Sequence, residues 1–139
     1  MYRSAYRPVF EELHRRLQRP GVFVGNTAGF PRVEVHSIVE NQPTDKADSV
    51  RVISCVIESM SSKTMEQAAR MNEYNLGILQ DFRYTGAFAS DYSTDFQLTG
   101  DFRVVGVVFT GMNELAETTD TQAVIYRILQ NIDIYVQQL

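Results

Sequence analysis

With 139 residues, the chain has the usual size of one domain, and its 44% hydrophobic residues include eight Phe and seven Tyr, enough to fill a compact interior. Charged residues make up only 22% and there are four Pro, which excludes an intrinsically disordered chain. The formal net charge of −4 disfavours sequence-independent binding of nucleic acid through its phosphates. The composition predicts a single globular domain over residues 1–139.

The charge is unevenly distributed along the sequence. Residues 1–19 contain five Arg and two Glu, a balance of +3, whereas residues 20–139 contain eight basic and fifteen acidic groups, a balance of −7. Such asymmetry serves either nucleic-acid binding or the pairing of one subunit with its neighbour. We favour the neighbour, because no aromatic residue is interleaved with the basic run in a stacking pattern. The residues predicted to lie at a subunit interface are Arg7, Arg15, Arg16 and Arg19.

The first predicted element is an amphipathic helix over Ser4–Gln18. Its apolar residues Phe10, Leu13 and Leu17 recur at spacings of three and four, and Pro8 lies in the first turn, where proline is tolerated. The helix is expected to end at Arg19-Pro20-Gly21.

Two strands and a hairpin tip are predicted next. Val22–Val24 is a short strand, and Pro31–Glu40 has the alternation of a second strand, with a phase shift before Ile38. The polar segment Asn41–Ser49 is typical of a hairpin tip, and we predict that Asp45 and Lys46 within it contact a partner.

The middle of the chain predicts a buried strand followed by a second helix. Val50–Met60 has apolar residues at both odd and even positions, as expected of a central strand covered on both faces. Its single Cys55 has no second cysteine for a disulfide and is expected to be a small buried hydrophobe. Ser61 and Ser62 then cap a helix over Lys63–Gln80.

The last third predicts a long loop and three strands. Phe82–Asp95 shows no clean period and is interpreted as a loop that presents aromatic side chains to a partner. Phe96–Leu98 and Phe102–Thr110 are interpreted as strands, and Gly111–Thr121 as a polar connection. Ala123–Val136 fits either a strand or a helical stripe; β-branched and aromatic residues favour a strand, with a bulge near Gln130 and Asn131. The aromatic residues of the predicted loop are Phe82, Tyr84, Phe88 and Tyr92.

The candidate chemical sites favour structural explanations. Gly25 and Gly29 follow a strand, but the Lys-Ser/Thr pair of a phosphate-binding loop is missing. The two histidines, His14 and His36, lack metal partners at recognisable spacing, and a catalytic cysteine would need one of them. We therefore predict a non-enzymatic protein without catalytic, cofactor-binding or metal-ligating residues.

The order of the elements over nearly the whole chain is informative. It begins with a helix at Ala5–Leu17, a short strand with a Gly-rich turn at Val22–Gly29 and an alternating strand at Pro31–Val35. These are followed by a long apolar strand at Arg51–Glu58, a Ser-capped helix at Ser62–Gln80 and a closing strand at Ala123–Val136. This order resembles that of the tail-terminator or tail-completion proteins of long-tailed bacteriophages, also called minor tail or head–tail joining proteins. The expected fold is α+β (α/β in the wider sense), with a mixed, mainly antiparallel sheet flanked by two helices.

The resemblance implies a structural virion protein at the head-proximal end of the tail, assembled in the host cytoplasm. Such proteins form a ring, commonly of six subunits, that ends polymerisation of the tail tube and presents a surface to the neck or head-completion protein. DNA passes through the ring without specific binding, which suits a net negative subunit. No membrane association is expected, because no apolar stretch of spanning length occurs.

Two other classes remain open from the sequence. One is another phage neck or baseplate component, or a component of a bacterial secretion tube, with the same α/β plan. The other is a small-ligand-binding or enzymatic α/β domain, whose chemistry would lie around Asp91, Asp95, Asp101 and His36.

Overall fold

The computed structural model describes residues 4–25, 29–41, 50–87, 97–98 and 102–138, with side chains described outside 80–87 and 97–98. They form a single α+β domain, as predicted. The elements in chain order are α1 Tyr6–Leu17, β1 Phe23–Val24, β2 Arg32–Asn41, β3 Val50–Ser61, α2 Met65–Ala87, β4 Gln97–Leu98, β5 Phe102–Thr118 and β6 Val124–Gln138.

All six strands belong to one sheet in the order β1-β2-β3-β6-β5-β4. The pair β1–β2 is parallel and the other four pairs are antiparallel, which confirms the mixed, mainly antiparallel sheet. The three longest strands, β3, β5 and β6, are neighbours in this sheet and correspond to segments that the sequence predicts as strands. The strand that comes last in the sequence, β6, lies between β3 and β5, with Cys55 opposite Ile132.

Both helices pack against the same face of the sheet. Val9, Leu13 and Leu17 are fully buried on α1, because their spacing of four places them on one helical face. Phe10, which the sequence predicts on the apolar face of α1, packs against the same cluster, and Leu79 and Ala68 of α2 are fully buried. The sheet residues of the core include Val33, Val35, Ile53, Cys55, Ile57, Val104, Val107, Ile132, Ile134 and Val136.

The other face of the sheet has no helix on it in the ranges given above. Val52, Ser54 and Val56 of β3 point to this open face and are half-buried. The prediction that β3 is covered on both faces is therefore wrong for most of its length. It holds only near the end of the strand, where Glu58 and Met60 are buried although they belong to the open face.

A β-bulge accounts for the phase shift in β2. The register with β3 changes between His36 and Val39, and Ser37 adopts a φ of 54°, in the left-handed region. The bulge predicted near Gln130 lies on the neighbouring strand instead, between Phe109 and Gly111 of β5.

Two elements extend further than predicted. Helix α2 continues to Ala87, so Phe82 and Tyr84 belong to a helix and the prediction that they lie in a loop is wrong. Strand β5 continues to Thr118, so the predicted polar connection from Gly111 is mostly strand. The predicted partner-binding residues Asp45, Lys46, Phe88 and Tyr92 lie outside the described residues.

Candidate functional site

The four arginines predicted to form an interface differ in their surroundings. Arg7 and Arg15 project from α1, with 83% and 65% of their side chains exposed. Arg7 contacts Glu11 one turn away at 3.5 Å, a solvent-exposed pair that contributes little stability. Both cations therefore lie at the outer surface of α1, where Arg15 also pairs with Glu12.

Arg16 is held within its own helix. Its side chain is 16% exposed, and its Nε donates a hydrogen bond of 2.8 Å to Glu12, which Arg15 also contacts. Burial alone would raise the pKa of Glu12, but the hydrogen bonds from Arg15 and Arg16 outweigh it and the pKa is lowered. Charge reversal at either Arg15 or Arg16 would disturb this arrangement, so Arg7 is the suitable position for testing an interface.

Arg19 joins the two helices. Its guanidinium stacks on the Tyr74 ring at 4.3 Å and donates a hydrogen bond of 2.9 Å to the Asn75 side chain. Desolvation by burial lowers the pKa of Arg19. Within this chain, Arg19 therefore stabilises the packing of α1 on α2.

A buried ion pair at the start of α1 was not predicted from the sequence. The Arg51 side chain is fully buried and lies 3.4 Å from the Glu40 carboxylate. The two oxygens of Glu40 accept hydrogen bonds of 2.7 Å from the Ser4 hydroxyl and from the Ala5 backbone N–H, the group at the N-cap. Arg51 also donates 3.0 Å to Gln138. This pair connects α1, β2, β3 and β6.

The distal half of the β5–β6 hairpin is the most exposed part of the sheet. We define the hairpin arm as Gly111–Thr118 of β5; every one of its residues is exposed. Met112 and Leu115 are exposed to 51% and 47%, although both are large and apolar. The described β4 pairs only with Phe102 and Arg103, so no described strand pairs with the outer edge of the arm.

The arm is also acidic. From Val104 to Tyr126 the sequence contains Glu114, Glu117 and Asp120 and no Lys or Arg, a net charge of −3. Glu117 contacts Arg127 on the neighbouring strand at 3.3 Å. The arm thus combines a strand edge that no described strand pairs with, exposed apolar side chains and negative charge.

Both histidines line one shallow depression between α1 and β2. It has a volume of about 300 Å³ and is lined by Phe10, His14, Gly25, Glu34, Val35 and His36. Phe10 and His14 lie side by side on the helix, with ring centroids 4.2 Å apart. The His14 Nδ1 lies 3.1 Å from the Phe10 carbonyl oxygen, which engages one of its two ring nitrogens.

On the open face, His36 belongs to a network centred on Glu58. This buried carboxylate lies 2.7 Å from the His36 Nε2 and 2.6 Å from Arg127. The His36 Nδ1 lies 2.8 Å from the Ser37 hydroxyl. Both nitrogens of His36 are therefore engaged by the protein.

Cys55 lies on the helix-covered face. Desolvation raises the pKa of its thiol to about 12, and the charge of Asp133 adds to the effect. A thiol with that pKa stays protonated at neutral pH and is a poor nucleophile, in agreement with its prediction as a small buried hydrophobe.

Neither a metal-ligand group nor a membrane-spanning helix occurs among the described residues. Within those ranges, no three His, Cys, Asp or Glu residues are grouped to hold a metal ion. None of the helices there is long and apolar enough to cross a membrane. The acidic candidates Asp91, Asp95 and Asp101 lie outside these ranges.

The exposed residues of the arm were missed at the sequence level because they look like a connection. Gly111, Asn113 and Glu114 are poor strand formers, and the segment has no alternation since both of its faces meet solvent. Comparison of the chain with models of known protein families and with curated proteins gave no match.

Proposed function

We propose that this chain is a non-enzymatic assembly protein of the phage tail-terminator type. In this proposal it forms a ring on the end of the tail tube, hexameric by the resemblance of its element order. The ring stops tube polymerisation and offers a surface to the neck or head-completion protein. The observation that supports the proposal best is the hairpin arm.

The arm favours assembly because its exposure is costly to a solitary subunit. A free strand edge with exposed apolar side chains invites association, and monomeric proteins usually shorten, cover or charge such edges. Here Met112 and Leu115 pair in regular register with Gln130 and Arg127. Because side chains alternate along a strand, these two exposed residues lie on opposite faces of it. A partner that covers the arm would remove both from water.

The net charge agrees with a subunit that surrounds DNA. The formal charge of −4 repels phosphate, and copies arranged in a ring add their fields at the lumen. Because screening at physiological salt limits this field to about 8 Å, it acts on DNA that passes close to the wall. The proposed location is the head-proximal end of the tail in the virion, after assembly in the host cytoplasm.

The test of this proposal is the length of tail tubes. Phage particles produced without this protein are examined by electron microscopy, together with particles complemented by the wild-type chain. Tubes of uncontrolled length that do not join heads are the expected result. Tubes of normal length joined to heads in its absence would refute the terminator proposal, and normal-length tubes that lack only heads would indicate another neck component.

A second candidate, small-ligand binding, is favoured by the depression at His14 and His36. Its volume of about 300 Å³ lies at the lower limit for ligand sites, and its polar groups are already engaged by the protein at His36. Calorimetric titration with Zn²⁺ or Mg²⁺ tests it: we expect no stoichiometric binding. A bound metal that His36→Ala abolishes would favour this candidate instead.

A further inference from the structure

We propose that the hairpin arm of one copy docks on the outer face of α1 of a second copy. This inference rests on the proposed ring assembly and names the two surfaces that meet. It starts from the arm itself, where Met112 and Leu115 are each about half exposed and no described strand covers the outer edge.

The second copy follows from charge. The arm and its flanks, Val104–Tyr126, carry −3, while Ser4–Arg19 carries four Arg against Glu11 and Glu12, a balance of +2. The most exposed cations of that segment, Arg7 and Arg15, project from α1 one on each side of Glu11. Opposite potentials of this kind orient two surfaces and raise their association rate.

The docking partner lies in another copy because of where the two surfaces sit in the fold. α1 packs chiefly against β2, on the side of the sheet that begins with β1. The arm belongs to β5, and both β3 and β6 lie between β5 and β2 in the sheet. The N-terminus of α1 contacts Glu40, beside Arg51 and the Phe102 end of β5, and the arm is the opposite end of that strand.

A contact between two different surfaces of identical copies is heterologous. Each copy then offers an arm to one neighbour and α1 to the other, so the contact propagates and closes into a ring if the rotation permits. Contact between two arms would be less favourable, because it would bring Glu114 and Glu117 of one copy against those of the other.

Two variants of the full chain test this docking. The arm variant is Glu114→Lys with Leu115→Lys; neither residue has a described side-chain partner. The helix variant is Arg7→Glu, at the exposed cation of α1 that does not contact Glu12. The matched control is Glu73→Lys with Val50→Lys, which makes the same chemical changes at exposed positions, Val50 being 50% exposed.

Sedimentation velocity over a range of concentrations measures the association. We expect each docking variant to associate at least about tenfold more weakly than the wild-type chain, the size of a lost hot-spot contact, with thermal melts unchanged. The control should associate as the wild type does. An equimolar mixture of the two variants should form a 1:1 complex, because the helix variant retains the arm and the arm variant retains α1.

Three results would overturn the docking. One is a helix variant that associates like the wild type, another is a control that weakens association as much as the arm variant. The third is a wild-type chain that stays monomeric up to about 1 mM, where even weak self-association is visible. None of these touches the terminator proposal, which the tube-length measurement decides, since a ring can also be built through other surfaces.

Discussion

Replacement of Glu40 by Ala should destabilise the fold strongly, because it leaves the Arg51 charge buried without its carboxylate. The Arg51 side chain is fully buried and that of Glu40 is 8% exposed. Breaking a buried pair by removing one member costs about 3–5 kcal/mol. The variant also loses the acceptor for the Ala5 N–H at the start of α1.

This loss corresponds to a large shift in melting temperature. For 139 residues, an unfolding entropy of about 2.1 cal/mol/K per residue gives about 0.29 kcal/mol/K. A loss of about 3–5 kcal/mol then lowers Tm by about 10–17 °C. Circular dichroism during thermal and urea unfolding measures both quantities. The control Glu11→Ala removes an exposed pair and should change stability by less than about 0.5 kcal/mol.

A double variant separates the buried charge from the other losses. Glu40→Ala with Arg51→Met removes both charges and keeps the volume at position 51 apolar. It should recover at least about half of the loss, since buried pairs are often replaced by apolar residues without net cost. A single variant that loses less than about 1 kcal/mol, or a double variant no more stable than the single one, would refute this reasoning.

Two further predictions concern Cys55 and Glu12. Cys55→Asp places a charge in the core opposite Ile132 and should cost about 3 kcal/mol or more; a variant that melts like Cys55→Ala would contradict the burial of this strand face. The pKa of Glu12 is lowered in the folded state, so its stabilisation is complete above the ordinary glutamate pKa and is lost as the pH falls through the lowered value. Glu12→Gln lacks this ionisation, so its free energy of unfolding should be lower than that of the wild-type protein at neutral pH and approach it in acid. Urea unfolding at several pH values measures this difference, and a difference that stays constant with pH would contradict the prediction.

The strands that contribute to the core could be predicted from the sequence. The apolar run at Val50–Met60 and the alternation in Ala123–Val136 reflect burial against the helices. Burial selects apolar residues at regular positions, and this periodicity can be recognised in the sequence. The phase shift before Ile38 corresponds to a real bulge at Ser37. Such features depend on side-chain periodicity within one segment.

The features that were missed depend on contacts between distant segments or on exposure to solvent. Helix α2 continues past its predicted end at Gln80 to Ala87, where the sequence has no clean period that would predict a helix. In the sequence, Arg51 resembles an ordinary cation at the end of a strand. Its partners Glu40 and Gln138 lie on other strands and approach it only in the folded structure. The arm gives no periodic signal because neither of its faces is buried.

The position of β6 has a consequence for how the protein is made. β6 follows every other described element in the sequence, yet it joins β3 to β5 in the middle of the sheet. Before it is synthesised, the emerging chain holds two separate sets of strands, and both β3 and β5 expose an edge where β6 will later insert. Pairing over such sequence separations makes folding slow, in the range of milliseconds to seconds for comparable topologies. The arm acquires its partner strand only when β6 arrives, so the complete hairpin forms last, and until then the unpaired edges of β3 and β5 are open to association with other chains.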